Sequence, residues 1–104
     1  IRDIIREYIH ENYLGEKKDR EGFSLIAFIY NHHVSQTAED LLELQHEFYR
    51  NIITSQHIHL DRDQCLEIII SRGKYRDNHE LASRIHAIKG VFLVKIIDLQ
   101  ELKL

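Results

Sequence analysis

The sequence predicts an α+β domain of the ferredoxin-like type, βαββαβ, with a four-stranded antiparallel sheet and one helix ahead of it. Two interior segments carry apolar residues at helical spacing, and four apolar runs of strand length flank them. Their order along the chain is that of the split βαβ motif, which sets both helices on one face of the sheet. At 104 residues and 43% hydrophobic content, the chain is the size of one domain with one core.

Ile1, Ile4, Ile5, Tyr8 and Ile9 recur at the period of an amphipathic helix, with charges on the other side. The chain has no methionine, and no capping residue precedes this segment. Residues 1–14 are therefore expected to be the remnant of a helix from a longer protein. The charged stretch 15–21, with glycine at or next to each end, reads as a linker, and 22–104 as the folded unit.

Phe23 to Tyr30 is apolar on both faces and too short for a typical helix, so it reads as a covered strand. Ser35 is the expected N-cap of a helix over about residues 36–49, with Ala38, Leu41, Leu42 and Leu44 as its buried stripe. Two strands, about 51–60 and 64–72, flank the polar Asp61-Arg62-Asp63 turn and form a hairpin that Gly73 ends. A helix over about 77–89 presents Leu81, Ile85 and Ile88, with Gly90 as its C-cap glycine. Val91 to Leu99 is the last strand, again apolar on both faces. A sheet with helices on one side and large side chains on both predicts that a second subunit covers the other side.

Composition narrows the function. A single cysteine, Cys65, excludes an intrachain disulfide framework and leaves a packed thiol, a reactive thiol or a metal ligand. Eight histidines favour the last. The net charge of -3 is not that of a surface that neutralises phosphates, so this part of the protein is not expected to contact DNA. No run approaches the ~18 apolar residues of a membrane span and no signal-peptide pattern is seen, so a cytoplasmic protein is expected.

His57 and His59 lie two apart on one strand and share a face, and Cys65 follows across the turn. With the hairpin centred on Arg62, His59 falls opposite Cys65 and His57 opposite Glu67. Opposed Cβ atoms lie roughly 4.5–5.5 Å apart, so two imidazoles, a thiol and a carboxylate converge. Ile58 and Leu60 alternate with the histidines, and Leu66, Ile68 and Ile70 with Cys65 and Glu67. These apolar residues are expected to face the helices, which sends the polar set to the subunit-facing side. Three ligands leave a position open, for water or for a residue of a second chain such as His46. His32 and His33, adjacent at a strand end, are expected to point to opposite sides into solvent, and His79 and His86 to lie on the surface.

Gln45-His46, His57-Ile58-His59 and Cys65-Leu66-Glu67-Ile68, with steps of eleven, two and six from His46 to Cys65, resemble the signature of the nickel-responsive repressors of nickel uptake. Members of that family join an N-terminal ribbon-helix-helix DNA-binding domain to a C-terminal ACT-like, ferredoxin-like domain. The resemblance implies that residues 1–14 are the end of the DNA-binding domain, whose ribbon strand and first helix are not in this chain. It implies Ni(II) as the cofactor, held by His57, His59 and Cys65 of one subunit and His46 of a neighbour in a homotetramer. Gln45 and Glu67 would orient those ligands, and Asp3, with Arg2, would sit at a domain-junction ion site. Three nitrogens and a thiolate suit Ni(II), though Cu(II) binds such sets at least as well. The stretch Gly90 to Lys95 is less basic than in many members and lacks their histidines. The implied function is a regulatory, non-enzymatic one. The alternatives are an ACT-like module for a small molecule with incidental histidines, and a metalloenzyme using the open position for water, for which only Glu67 offers a base.

Overall fold

The computed structural model describes residues 17–101. The expected opening helix over 1–14, the start of the linker and Asp3 lie outside the described residues.

Six elements follow one another: β1 (Glu21–Asn31), α1 (Thr37–Glu47), β2 (Ile52–His59), β3 (Gln64–Lys74), α2 (Tyr75–His86) and β4 (Val91–Glu101). The sheet order is β2-β3-β1-β4, with every neighbouring pair antiparallel. This is the predicted ferredoxin-like architecture. The central strand β1 is apolar on both faces, as its position requires.

Alternation along β1 and β3 divides the sheet. Ile26, Phe28 and Tyr30 of β1 and Cys65 and Ile69 of β3 are buried with Leu41 and Leu44 of α1 and Leu81, Ala82 and Ile85 of α2. The intervening residues, such as Leu25, Ile29, Leu66 and Ile68, are half-buried on the face without helices. There β4 leaves Leu93 and Ile97 exposed.

The helix ends depart from expectation. Ser35 does not cap α1; the chain enters it through Gln36 in the left-handed region (φ 79°), and no side chain caps the first turn. Thr37 begins the helix, buried, and its hydroxyl donates to the Lys89 carbonyl at 2.6 Å. That bond ties the start of α1 to the loop before β4. Leu41 and Leu44 are buried as expected, but Ala38 and Leu42 are exposed, because α1 meets the core along a narrow stripe.

β3 runs past Gly73 to Lys74, and α2 starts at Tyr75, two residues earlier than predicted. The cause lies in the segment before β1. The carbonyls of Arg20 and Lys18 accept hydrogen bonds from the Tyr75 and Arg76 amides at 3.0 and 2.9 Å, capping a helix that has no side-chain cap. α2 ends at His86 with Ala87 as its C-cap, so Gly90 is not that cap. Gly90 instead makes the turn into β4 at φ +98°.

The hairpin turn is closed by Asp61, whose Oδ1 accepts from the Asp63 and Gln64 amides, both at 2.8 Å. Those two bonds hold the Asp61 carboxyl below the usual range.

Candidate metal centre

The hairpin has the predicted register: His59 pairs with Cys65 and His57 with Glu67. Cys65 Sγ lies 3.5 Å from His59 Nδ1, and Glu67 Oε1 lies 3.4 Å from His57 Nε2. The imidazoles, thiol and carboxylate therefore do meet across two strands, as two adjacent pairs.

The face is the reverse of the one expected. Cys65 is 3% exposed and Glu67 fully buried, both on the helix side, whereas Ile58 and Leu60 are exposed. β3 is apolar on both faces, so its alternation separates two sides without saying which one the helices cover. The polar set goes under the helices because partners wait there. Gln45 Nε2, from α1, donates to Glu67 Oε2 at 2.7 Å, and the Tyr30 hydroxyl, from β1, lies 3.3 Å from His57 Nδ1. β2 is an edge strand exposed along most of its length, so its histidines stay open to solvent on that same side.

Glu67 is the fully buried carboxyl of this group. Burial raises its pKa, with His57 and Gln45 acting in the opposite direction. Its Oε1 has no hydrogen-bond partner among the described residues, and the 3.4 Å approach of His57 is an ion-pair contact rather than a formed hydrogen bond. A buried carboxylate oxygen facing an imidazole is suited to hold that ring in place as it binds a cation.

Tyr30 was not singled out in the sequence. It is directly opposite Cys65 in the β1–β3 register and 5% exposed. Burial, and then the Cys65 and Glu67 charges, push its hydroxyl up to about 12, so it remains a neutral donor. Counting back from Cys65 across the β1–β3 pairing would have found it, but that register depends on a connection of more than thirty residues.

His46 is exposed in the last turn of α1. It lines a cavity of ≈ 230 Å³ with Leu42, Gln45, Tyr49 and Ile52. His57 lines a different cavity of ≈ 150 Å³, with Tyr30, Ala38, Leu41, Leu42 and Gln45. Leu42 and Gln45 border both, and the structure does not bring His46 onto His57, His59 or Cys65 of its own chain. Among the described residues, no three His, Cys, Asp or Glu side chains close into a metal-holding group within the one chain.

Two other histidine expectations are corrected. His32 and His33 do not diverge: they lie in the turn after β1, with ring centroids 4.2 Å apart. His33 Nε2 is 3.0 Å from Asp63 and His32 Nε2 is 2.6 Å from the Arg62 carbonyl oxygen. His79 is not a free surface residue, since its Nε2 meets both oxygens of Asp98 at 3.0 and 2.9 Å.

Residues 23–97 match the family model described as the NikR C terminal nickel binding domain. A candidate nickel-responsive regulator of Desulfotalea psychrophila is 40% identical over 91 residues, covering 86% of this chain and 67% of that protein. One from Caldanaerobacter subterraneus is 38% identical over 97 residues, covering 93% and 62%. One from Methanocaldococcus jannaschii is 42% identical over 96 residues, covering 92% and 68%. This chain thus spans 62% to 68% of the length of these three relatives. Among solved structures, an uncharacterized protein from Thermotoga maritima superposes with a TM-score of 0.70 at 16% identity, covering 77% of this chain and 99% of that one. The ACT domain of a GTP pyrophosphokinase from Chlorobium tepidum does so with a TM-score of 0.61 at 16% identity, covering 74% and 99%. These two likenesses concern the fold, which is ACT-like.

Proposed function

The chain belongs to the NikR C-terminal nickel-binding domain family, and from that membership we propose that it senses Ni(II) at a site shared between subunits. In this reading His57, His59 and Cys65 of one subunit bind the ion with His46 of a neighbouring copy, in a homotetramer. The domain is the C-terminal, non-enzymatic part of a nickel-responsive regulator. Repression of nickel uptake, through a DNA-binding domain preceding this chain in a cytoplasmic protein, is the function proposed for the whole. No helix among the described residues is long and apolar enough to cross a membrane.

The observation that carries the reading is the pairing of His59 with Cys65 and of His57 with a buried carboxylate on one hairpin. The donors fit the ion: two imidazoles and a thiol are the borderline-soft set that suits Ni(II). Bound Ni(II) would supply a fixed cross-link between subunits. The chain's own residues do the rest. His57 would turn one ring nitrogen to the ion while Glu67 or Tyr30, which face its two nitrogens in the metal-free chain, holds the other, and Gln45 holds Glu67 from α1. Sensing then requires that Ni(II) bind one arrangement of the subunits better than another.

A subunit-mixing titration tests the shared site. His46→Ala and Cys65→Ala should each lose Ni(II) binding and the sulfur-to-metal charge-transfer absorption. Co-refolding the two variants should restore part of both signals, because some interfaces then pair an intact His46 with an intact hairpin. A site within one chain would give no recovery. Wild-type Ni(II) affinity retained in Cys65→Ala would defeat the ligand assignment altogether.

A further inference from the structure

At the end of the sheet away from the metal centre lies a second polar cluster, and it is built from a different set of residues. Asp98 of β4 is its hub, with a side chain 4% exposed. Its Oδ1 accepts from Ser24 Oγ of β1 at 2.8 Å, and His79 of α2 meets both its oxygens. The cluster continues through Asn78, whose Nδ2 donates to Ser24 Oγ at 3.1 Å and whose Oδ1 accepts from Ser71 Oγ of β3 at 2.7 Å. Ser24, Ser71 and Asn78 are each fully buried. Three strands and α2 are therefore joined by polar groups that satisfy one another.

Into this cluster reaches Lys17, from the segment read in the sequence as linker. Its side chain is 3% exposed, its Nζ lies 3.2 Å from Asp98 Oδ2, and the same Nζ sits over the Tyr75 ring at 4.2 Å from the centroid. Lysine is among the residues least often buried, and a buried ammonium is tolerated where it is paired. The three residues after it are docked as well. The Arg20 amide bonds back to the Lys17 carbonyl at 2.8 Å, the Lys18 and Arg20 carbonyls cap α2, and Asp19 pairs with Arg76.

We infer that residues 17–20 are a latch belonging to this domain rather than a loose tether, and that Lys17, seated on Asp98 and Tyr75, is the bolt that closes it. The chain before residue 17 then departs from a fixed point beside α2 and β4. A rotation of this domain carries that point with it. The latch uses none of the metal-centre residues, so it stands or falls separately from the nickel reading.

Trypsin supplies a direct test, because Lys17, Lys18 and Arg20 are all cleavage sites. In the full 104-residue chain, cleavage after Lys18 and Arg20 should be slow. Asp98→Asn, which leaves every site intact, should speed it by about tenfold or more as the latch opens. Lys17→Met should likewise speed hydrogen exchange of the Arg20, Tyr75 and Arg76 amides, while Lys17→Arg keeps them protected. Exchange at Ile26 and Ile69 in the core should not change. Unaltered cleavage in Asp98→Asn, or unaltered exchange in Lys17→Met, overturns the latch. So does a uniform rise that includes the core amides, which would make Lys17 a general stabiliser.

Discussion

Gln45 Nε2 donates to Glu67 Oε2 at 2.7 Å, joining the helix that bears His46 to the strand that bears Cys65. The carboxylate beneath that bond is fully buried. Removing the donor leaves the buried Glu67 Oε2 without its hydrogen-bond partner. Gln45→Leu is expected to lower the stability of the metal-free protein by about 1–3 kcal/mol in urea unfolding. It should also weaken Ni(II) binding about 10–100-fold by titration calorimetry.

Glu67→Gln should split those two effects. The substitution removes a buried charge and still offers an amide oxygen to Gln45. Metal-free stability should hold or rise by up to about 1–3 kcal/mol, while Ni(II) affinity falls about 10–100-fold. Loss of stability together with unchanged affinity would show that Glu67 serves the fold and not the ion.

Tyr30→Phe deletes the hydroxyl that lies 3.3 Å from His57 Nδ1 and keeps the ring in the core. Its unfolding midpoint should move little, because the lost bond is worth about 1 kcal/mol. Ni(II) affinity should drop about tenfold as His57 loses one constraint on its rotation. An affinity equal to wild type would remove Tyr30 from the site.

Acid should act on the opposite end of the sheet. Burial raises the Asp98 carboxyl, but the hydrogen bonds from His79, Ser24 and Lys17 outweigh it and bring the value from 3.8 to about 2. A depressed folded value means that Asp98 contributes its full stability above pH 3.8 and loses it as pH falls towards 2. Urea midpoints of wild type should therefore decline across that window more steeply than those of Asp98→Asn. Parallel curves would contradict the assignment.

Gly90→Ala should destabilise by more than about 1 kcal/mol in thermal or urea unfolding. Its φ of +98° disfavours any side chain, and the new Cβ would collide with the Thr37 hydroxyl that bonds the Lys89 carbonyl. A neutral outcome would mean that the start of α1 can shift freely.

The order of elements was legible because helical and strand periods alternate cleanly from Phe23 to Leu99. So was the His59–Cys65 pairing, which needs only a turn centre and a period of two. The direction in which that pair faces was not. Cys65 and Glu67 are polar residues on the helix side, held there by Tyr30 and Gln45, and contacts between residues twenty or more positions apart leave no local pattern. The same reason hid Lys17, whose partner Asp98 is eighty-one residues away. Charge in the stretch 15–21 suggested solvent, yet the ammonium of Lys17 is paired and enclosed. Whether His46 meets the hairpin depends on a second copy of the chain, and local pattern reaches no further than marking it as a histidine near a helix end.

The hairpin turn, finally, makes the metal centre sensitive to counting. Asp61 grips the Asp63 and Gln64 amides, and the span from His59 to Cys65 is closed by that grip. Parity along a strand is strict: a slip of one residue turns every side chain to the other face. A slip of β2 by one residue against β3 would turn both imidazoles away from the thiol, while a slip of two would keep the face and only misalign the pairs. A turn variant that slips the register by one should therefore abolish nickel binding and one that slips it by two weaken it, although neither change touches a ligand.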